Sequence, residues 1–182
     1  VIDAALRSLQ GESPHSRGTS HISVMDGDGN VAALTASNGE GCGYMLPGTG
    51  IMLNNMLGEE DLNPDGFHQW RPDRRLSSMM APTLGEHPDY TIATGSGGSN
   101  RIRSAILQVL IKLIDHGWEV EQAANSPRIH LEGSQLSIEP GFDAEVLGAL
   151  EQGWPGAEQW QQRNLFFGGA HALMHHHRDN RF

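Results

Sequence analysis

The alternation of apolar and polar residues predicts a β-hairpin near the start of the chain. Residues 22–25 and 31–35 are β-prone runs, and the sequence Asp-Gly-Asp-Gly-Asn separates them. Gly and Asn tolerate positive φ angles, so this stretch is typical of a hairpin turn. The first strand of the hairpin is expected to begin at Thr19. Similar apolar runs predict three further strands, at 89–94, 135–139 and 165–174.

The clearest helix follows the predicted strand at 89–94. Apolar residues recur at helical spacing from Ile102 to Ile114, and Gly117 ends the pattern. A Gly-rich stretch at 95–98 joins the strand to this helix.

Two shorter helices and two long loops complete the pattern. The helices are expected at 120–124 and 143–152, the second with Asp143 as its N-cap. Gly and Pro residues predict loops at 38–50 and 58–75, and loops of this length in a folded domain are usually functional or disordered. Together these elements predict an α+β layered sandwich.

Composition narrows the classes of partner. The 182 residues carry 12 Lys and Arg against 22 Asp and Glu, which gives a formal net charge of −10. This balance argues against nucleic acid or an anionic membrane surface as a partner, so a small solute or another protein is expected. Cys42 is the one cysteine and cannot form an internal disulfide. The length predicts one domain with a substantial core.

Thr19, directly after Gly18, is the first candidate for chemistry. If the Gly18–Thr19 bond is broken, Thr19 has a hydroxyl nucleophile and a free α-amine that can act as its base. An α-amine titrates near pH ~7.7 and can therefore accept a proton at neutral pH. Before cleavage, the same hydroxyl could attack the Gly18 carbonyl in an N-to-O acyl shift. Most Gly-Thr-Ser triplets are ordinary turns, so this hypothesis depends on the motifs that follow.

Five motifs follow Thr19 in a fixed order. They are Asp-Gly-Asp-Gly-Asn at 26–30, Leu-Thr-Ala-Ser-Asn-Gly-Glu-Gly at 34–41, Gly-Ile-Met-Leu-Asn-Asn at 50–55, Arg-Leu-Ser-Ser-Met at 75–79 with Ala-Pro-Thr at 81–83, and Thr-Gly-Ser-Gly-Gly-Ser-Asn-Arg-Ile at 94–102. In this order and at these spacings the chain resembles the small, catalytic subunit of the γ-glutamyltranspeptidase family. The resemblance extends from about Arg17 to Ala172.

The resemblance implies a fold and a division of the chain. The fold is the four-layer αββα sandwich of N-terminal-nucleophile hydrolases, incomplete without a large subunit from the same precursor. Residues 1–18 are then the tail of the large-subunit segment upstream of the self-cleavage point, and residues 19–182 are the catalytic small-subunit domain. Without its partner the fragment is expected to self-associate as a homo-oligomer. This chain indicates no compartment, although bacterial members of the family imply a periplasmic or secreted one.

The resemblance also implies catalytic roles. Thr19 is the nucleophile, and Ser37 stands where relatives carry a hydroxyl residue that hydrogen-bonds it. Gly97 and Gly98 lie between a strand and a helix, where backbone N–H groups suit an oxyanion. Counting back from Arg101, however, places Gly98 and Ser99 at the family's glycine pair. The two oxyanion donors are therefore either Gly97 and Gly98 or Gly98 and Ser99.

Substrate-binding roles follow in the same way. Ser77 and Ser78 correspond to the serine pair that holds the glutamyl α-carboxylate. Counted along the motif, Glu59 stands where relatives use an Asp for the α-ammonium. Asn38 is the nearest candidate for the Asn that relatives carry two residues beyond the strand hydroxyl. Ser99, in the glycine turn, completes the expected set.

The implied activity is acyl transfer or hydrolysis of γ-glutamyl amides such as glutathione, through an ester on Thr19. No metal or organic cofactor is expected. A γ-glutamyl small molecule and the large subunit are the expected partners. Two alternatives remain: a related amidase, cephalosporin-acylase-like or poly-γ-glutamate-processing, and an inactive, unprocessed fragment. His21 is expected to be hydrogen-bonded rather than catalytic.

Overall fold

The structure is a computed structural model that describes residues 18–39 and 41–182. The predicted large-subunit tail lies outside the described residues, apart from Gly18. Contacts divide the chain into two units. The first contains Ser37–Ser78 together with the described residues up to Thr19, and the second contains Ser20–Ala36 and Met79–Phe182.

The predicted hairpin is confirmed. Strands β1 (Thr19–Met25) and β2 (Val31–Ser37) pair with each other. The turn between them is closed by Asp26, whose carboxylate accepts hydrogen bonds from the backbone N–H groups of Asp28 and Asn30. Thr19 is the first residue of β1, as the sequence predicted.

The main sheet of the second unit has three antiparallel strands. In the order β10 (Gly169–His176), β6 (Tyr90–Gly97), β5 (Thr83–His87), the central strand is β6. Strand β5, a short run of mixed polarity, was not predicted. Strand β6 was predicted to end at residue 94, but it continues because residues 95–97 pair with 169–171.

Helices cover one face of this sheet. Helix α1 (Arg101–Ile114) and helix α2 (Val120–Asn125) match the predicted helices closely. Their apolar side chains meet those of β6 and β10 in a buried cluster, which contributes the burial of apolar area that drives folding. Its members are Ile92, Val109, Leu113, Ala123 and Met174.

The opposite face of the sheet packs against the hairpin. A Cβ atom on Gly95 would lie 2.1 Å from Nδ1 of His21, so only glycine allows the imidazole to sit there. The second unit therefore stacks helices, a three-stranded sheet and the hairpin in that order. The described elements form a mixed α/β fold.

A second, smaller sheet completes this unit. Strand β7 (Ile129–Glu132) is antiparallel to β8 (Gln135–Ile138), and β8 is parallel to β9 (Glu158–Gln159). Helix α3 (Ala144–Gly153) starts after Asp143 as predicted, but the Asp143 side chain makes no capping hydrogen bond.

The last predicted strand was wrong at its start. Leu165–Phe167 forms a 3-10 turn, and β10 begins only at Gly169. Gly168 separates the two because its φ is 80°, a value that an extended strand does not have.

The first unit is mostly irregular, as its Gly and Pro content predicted. Strands β3 (Met45–Leu46) and β4 (Ile51–Met52) form a small hairpin that was not predicted; β3 falls within the predicted loop at 38–50 and β4 directly after it. Two 3-10 turns follow, at Met56–Gly58 and Glu60–Leu62.

Candidate functional site

The ends of the β1–β2 hairpin bring two hydroxyl groups together. Thr19 Oγ1 and Ser37 Oγ share a hydrogen bond of 2.9 Å, although 18 residues separate them. Ser37 Oγ also accepts a hydrogen bond from the N–H of Gly39 at 3.0 Å. That bond occupies a lone pair of Ser37 and leaves its hydroxyl hydrogen available to Thr19.

The Gly18 carbonyl lies beside the same strand end. Its oxygen accepts a hydrogen bond from the backbone N–H of Asn38 at 3.4 Å, a long contact. The carbonyl of Asn38 in turn accepts from the N–H of Asn55 at 2.8 Å. The loop after β2 is therefore tied both to the residue before Thr19 and to the predicted Asn-Asn motif.

Gly39 and Glu59 occupy neighbouring positions in the first unit. Gly39 is buried with φ of 63°, and a Cβ atom there would lie 3.1 Å from Oε1 of Glu59. The side chain of Glu59 thus reaches back to the loop that follows Ser37. Glu59 is half-buried, while Glu60 and Asp61 beside it are exposed.

A buried asparagine holds the segment around Glu59. Asn63 Nδ2 donates to the carbonyls of Leu57 and Glu59, at 3.0 and 2.7 Å, and its Oδ1 accepts from Trp70 Nε1 at 3.0 Å. The sequence analysis missed Asn63, because an Asn before a Pro reads as a turn residue. Ser77 and Ser78 lie further along the same unit and are exposed.

The glycine turn belongs to the second unit. Gly97 is the last residue of β6 and pairs with Gly169. Gly98 and Ser99 form the turn itself, with φ of 131° and 54°, and their carbonyls accept from the N–H groups of Arg101 and Ile102. The turn is therefore formed by Gly98 and Ser99, one position later than Gly97 and Gly98, the first of the two pairs considered from the sequence.

Two contacts fix this turn from behind. A Cβ atom on Gly98 would lie 2.9 Å from Cα of Gly168, so the two backbones touch. Arg101 is buried, donates through Nε to the carbonyl of Phe166 at 3.0 Å, and stacks its guanidinium 4.9 Å from the centre of the Phe166 ring.

His21 is hydrogen-bonded, as the sequence analysis expected. Its Nδ1 lies 2.7 Å from Thr35 Oγ1, and its Nε2 lies 2.8 Å from Ser23 Oγ. Burial lowers the pKa of His21, and the nearby imidazole of His171 lowers it further. An imidazole that is hydrogen-bonded through both ring nitrogens fits a structural role.

Residues 18–39 and 41–182 contain no group of three or more His, Cys, Asp or Glu that could hold a metal ion. No helix in the same part of the chain is long and apolar enough to cross a membrane.

Solved structures share this fold. The crystal structure of the transpeptidase enzyme CapD from Bacillus anthracis superposes with a TM-score of 0.69 at 28% identity, covering 89% of this chain and 90% of that one. Residues 3–180 match the family model of gamma-glutamyltranspeptidase. The chain therefore belongs to the γ-glutamyltranspeptidase family.

The named relatives include enzymes with different names. The glutathione hydrolase proenzyme of Bacillus subtilis strain 168 is 35% identical over 136 residues, which are 72% of this chain and 23% of the relative. The acylase ACY 1 proenzyme of Pseudomonas sp. strain SE83 is 33% identical over 135 residues, 72% of this chain and 24% of the relative. The chain spans about a quarter of the length of these two relatives.

Proposed function

We propose that the chain carries the nucleophile of a γ-glutamyl acyltransferase and hydrolase, with Thr19 as that nucleophile. The observation that carries the proposal is the 2.9 Å hydrogen bond between the hydroxyls of Thr19, the residue directly after Gly18, and Ser37. Family membership supports the reaction class. The relatives are named as proenzymes, which supports cleavage of a precursor.

Self-cleavage is the first proposed step. Thr19 Oγ1 attacks the Gly18 carbonyl carbon, the C–N bond breaks, and the proton that leaves Oγ1 passes to the nitrogen, which becomes the α-amine of Thr19. The Gly18 acyl group is held as an ester until water hydrolyses it to a carboxylate. Charge that develops on the Gly18 oxygen faces the Asn38 N–H, the donor already at 3.4 Å.

Acyl transfer is the second step. The free α-amine of Thr19 takes the hydroxyl proton as Oγ1 attacks the γ-carbonyl of the donor, and the leaving amine takes that proton. Ser37 orients Thr19 by donating its hydroxyl hydrogen to Oγ1. Water or an acceptor amine then attacks the ester and releases Thr19.

Other residues are proposed to bind the reacting groups. Gly98 supplies an oxyanion donor, with Gly97 or Ser99 as its neighbour. Glu59 binds the α-ammonium, and its half-buried position favours it over the exposed Glu60. Ser77, Ser78 and Asn38 bind the α-carboxylate side of the donor.

A large subunit from the same precursor is proposed to complete the four-layer αββα sandwich. Cleavage after Gly18 would leave residues 1–18 as the end of that subunit, and residues 19–182 would form the small subunit. No cofactor takes part in the proposed steps.

A related amidase is the second candidate, and the Gly39–Glu59 pair favours it. Oε1 of Glu59 lies 3.1 Å from the position that a Cβ atom on Gly39 would occupy, so this oxygen points towards the loop after Ser37 and, in this second candidate, does not bind an α-ammonium. An enzyme of this type would accept a glutaryl donor, which keeps the carboxylate and lacks the α-ammonium, as well as a γ-glutamyl donor.

The test uses the complete gene product. We expect two polypeptides, the smaller beginning at Thr19, and turnover of γ-glutamyl-p-nitroanilide. Thr19→Ala should give a single chain without activity, while the matched control Ser20→Ala should be cleaved and active. A smaller polypeptide that begins at another residue in active material would refute the role of Thr19. Relative rates on glutaryl-p-nitroanilide separate the two candidate substrates.

A further inference from the structure

Helix α1 carries a line of polar residues at intervals of four along one side. They are Asn100, Ser104, Gln108 and Lys112, and all four are half-buried. Residues four apart lie on one face of a helix. We call this line the polar seam. It runs between the apolar face of α1, which packs on the main sheet, and the exposed face.

Two members of the polar seam bond to the backbone at the start of β7 and just before it. Lys112 Nζ donates to the carbonyl of Pro127 at 3.1 Å. Gln108 makes two bonds to the backbone of Ile129, donating to its carbonyl at 2.8 Å and accepting from its N–H at 3.0 Å. The contacts follow one another because the segment runs antiparallel to the helix.

The other two members bond to side chains of β7. Ser104 donates to the carbonyl of Arg101 at 3.0 Å, so its oxygen accepts from Nδ1 of His130 at 2.8 Å. Asn100 Nδ2 donates to Oε1 of Glu132. The seam therefore ends at the residue that directly follows Ser99.

Directional bonds fix what apolar packing leaves free. Apolar contact is non-directional, so the buried face of α1 alone allows small rotations and shifts along the helix axis. Hydrogen bonds at all four positions of the polar seam oppose both movements. Because the glycine turn is continuous with the first turn of α1, fixing the helix also fixes the direction of the Gly98 and Ser99 N–H groups.

We propose that the polar seam positions the glycine turn for catalysis, and that the contact between Asn100 and Glu132 is its controlling bond. The proposal rests on the proposed function, in which the turn stabilises an oxyanion. Asn100 and Glu132 are positioning residues: they act through the backbone of the turn and do not touch the substrate.

A charge-exchange pair of variants tests the proposal in the complete gene product. Asn100→Asp places two carboxylates against each other. Glu132→Gln keeps an acceptor for Asn100. When both substitutions are combined, the new amide at position 132 can donate to the new carboxylate at position 100, so the bond is restored with its direction reversed. Either carboxamide or carboxylate at position 100 can still accept from Arg101 Nη1, which bonds to Asn100 Oδ1 in the structure.

Two readouts separate positioning from general stability. Hydrogen–deuterium exchange should show faster exchange of the amides at 97–100 in Asn100→Asp. The same variant should lose kcat by about tenfold while KM stays within about twofold, because a misdirected oxyanion donor lowers transition-state binding more than ground-state binding. The double variant should recover kcat to within about threefold of the unmodified protein.

Glu86→Gln is the matched control, since Glu86 is an exposed acid on β5 and its loss makes the same charge change as Glu132→Gln. The proposal is overturned if Asn100→Asp leaves the exchange at 97–100 unchanged, or if the double variant recovers no better than Asn100→Asp. If the unmodified protein turns over no γ-glutamyl donor, the proposed function fails. The exchange data still decide in that case whether the seam holds the turn.

Discussion

At the scale of single residues, Gly39 and Glu59 have to be considered together. The Glu59 side chain extends towards residue 39. A Cβ atom on residue 39 would lie only 3.1 Å from Oε1 of Glu59, which is closer than most Cβ contacts. Gly39 also has a φ of 63°, which favours glycine. The absence of a side chain at 39 and the extra methylene at 59 therefore fit each other, and the carboxylate lies against the loop that directly follows Ser37.

The residue-scale prediction concerns this carboxylate. In the role proposed for Glu59, Glu59→Gln should remove a charge-assisted bond to the α-ammonium, which costs about 1.5–3 kcal/mol and should raise KM for γ-glutamyl-p-nitroanilide by roughly ten- to a hundredfold. KM for glutaryl-p-nitroanilide, which lacks the ammonium, should not rise. The unmodified protein is expected to discriminate for the ammonium less strongly than an enzyme with Asp at this position, the residue that the family resemblance implies, because Glu is longer and more mobile.

Glu60→Gln and Asp61→Asn serve as controls, because both residues are exposed neighbours of Glu59. If either control abolishes activity while Glu59→Gln leaves kcat/KM unchanged, the ammonium ligand lies elsewhere in this segment.

The sequence alone predicted part of this site. The hydroxyl pair could be predicted because Thr19 starts the first strand and Ser37 ends the second strand of a hairpin whose turn is evident in the sequence. The two residues therefore meet at the open end of the hairpin. Asn63 could not be predicted, since nothing local distinguishes a buried Asn from a turn Asn. The polar seam could have been found, because Asn100, Ser104, Gln108 and Lys112 interrupt the apolar pattern at every fourth position.

At the scale of elements, long periodic segments were predictable and short ones were not. Helix α1 was identified within a residue because six of its side chains are buried at helical spacing. Strands β5 and β7 were missed because their pairing partners, not their own patterns, make them strands. The start of β10 was predicted too early, because in the sequence the apolar run at 165–167 is separated from the apolar residues of the strand only by Gly168 and Gly169.

The element-scale prediction concerns that glycine. A Cβ on Gly168 would lie 2.8 Å from both the Gly97 carbonyl oxygen and Ser96 Oγ, and its φ is 80°. Gly168→Ala should therefore destabilise the fold by at least about 2 kcal/mol, through strain and overpacking together. Gly169→Ala is the matched control, since open space surrounds its Cβ position. The measurement is the free energy of unfolding in urea.

Equal stabilities for Gly168→Ala and Gly169→Ala would contradict the close approach of Gly168 to Ser96 and Gly97. If Gly168→Ala alone also lowers kcat, the contact contributes to the shape of the glycine turn as well as to stability.

At the scale of the whole molecule, the hairpin presents an apolar face to solvent. Ile22, Val24 and Leu34 are 59%, 55% and 64% exposed, although their β1 and β2 neighbours His21 and Thr35 are buried. Strand alternation puts the two sets on opposite faces, so one face of the hairpin packs on the main sheet and the other is uncovered. Contiguous exposed apolar side chains are typical of a surface that another polypeptide covers.

The prediction at this scale is that the 182-residue chain self-associates through the uncovered hairpin face. Sedimentation velocity should show a weight-average mass that rises with concentration. The double variant Ile22→Thr with Leu34→Thr should shift the distribution towards monomer, because Thr removes apolar area while placing a β-branched side chain at both strand positions. Val146→Thr is the control, since Val146 is an exposed apolar residue on α3. In the complete gene product the large subunit is expected to cover this face, so the double variant should there weaken subunit association instead. A chain that stays monomeric at all concentrations, or a double variant that associates as strongly as the unmodified chain, would show that this face is not the contact surface.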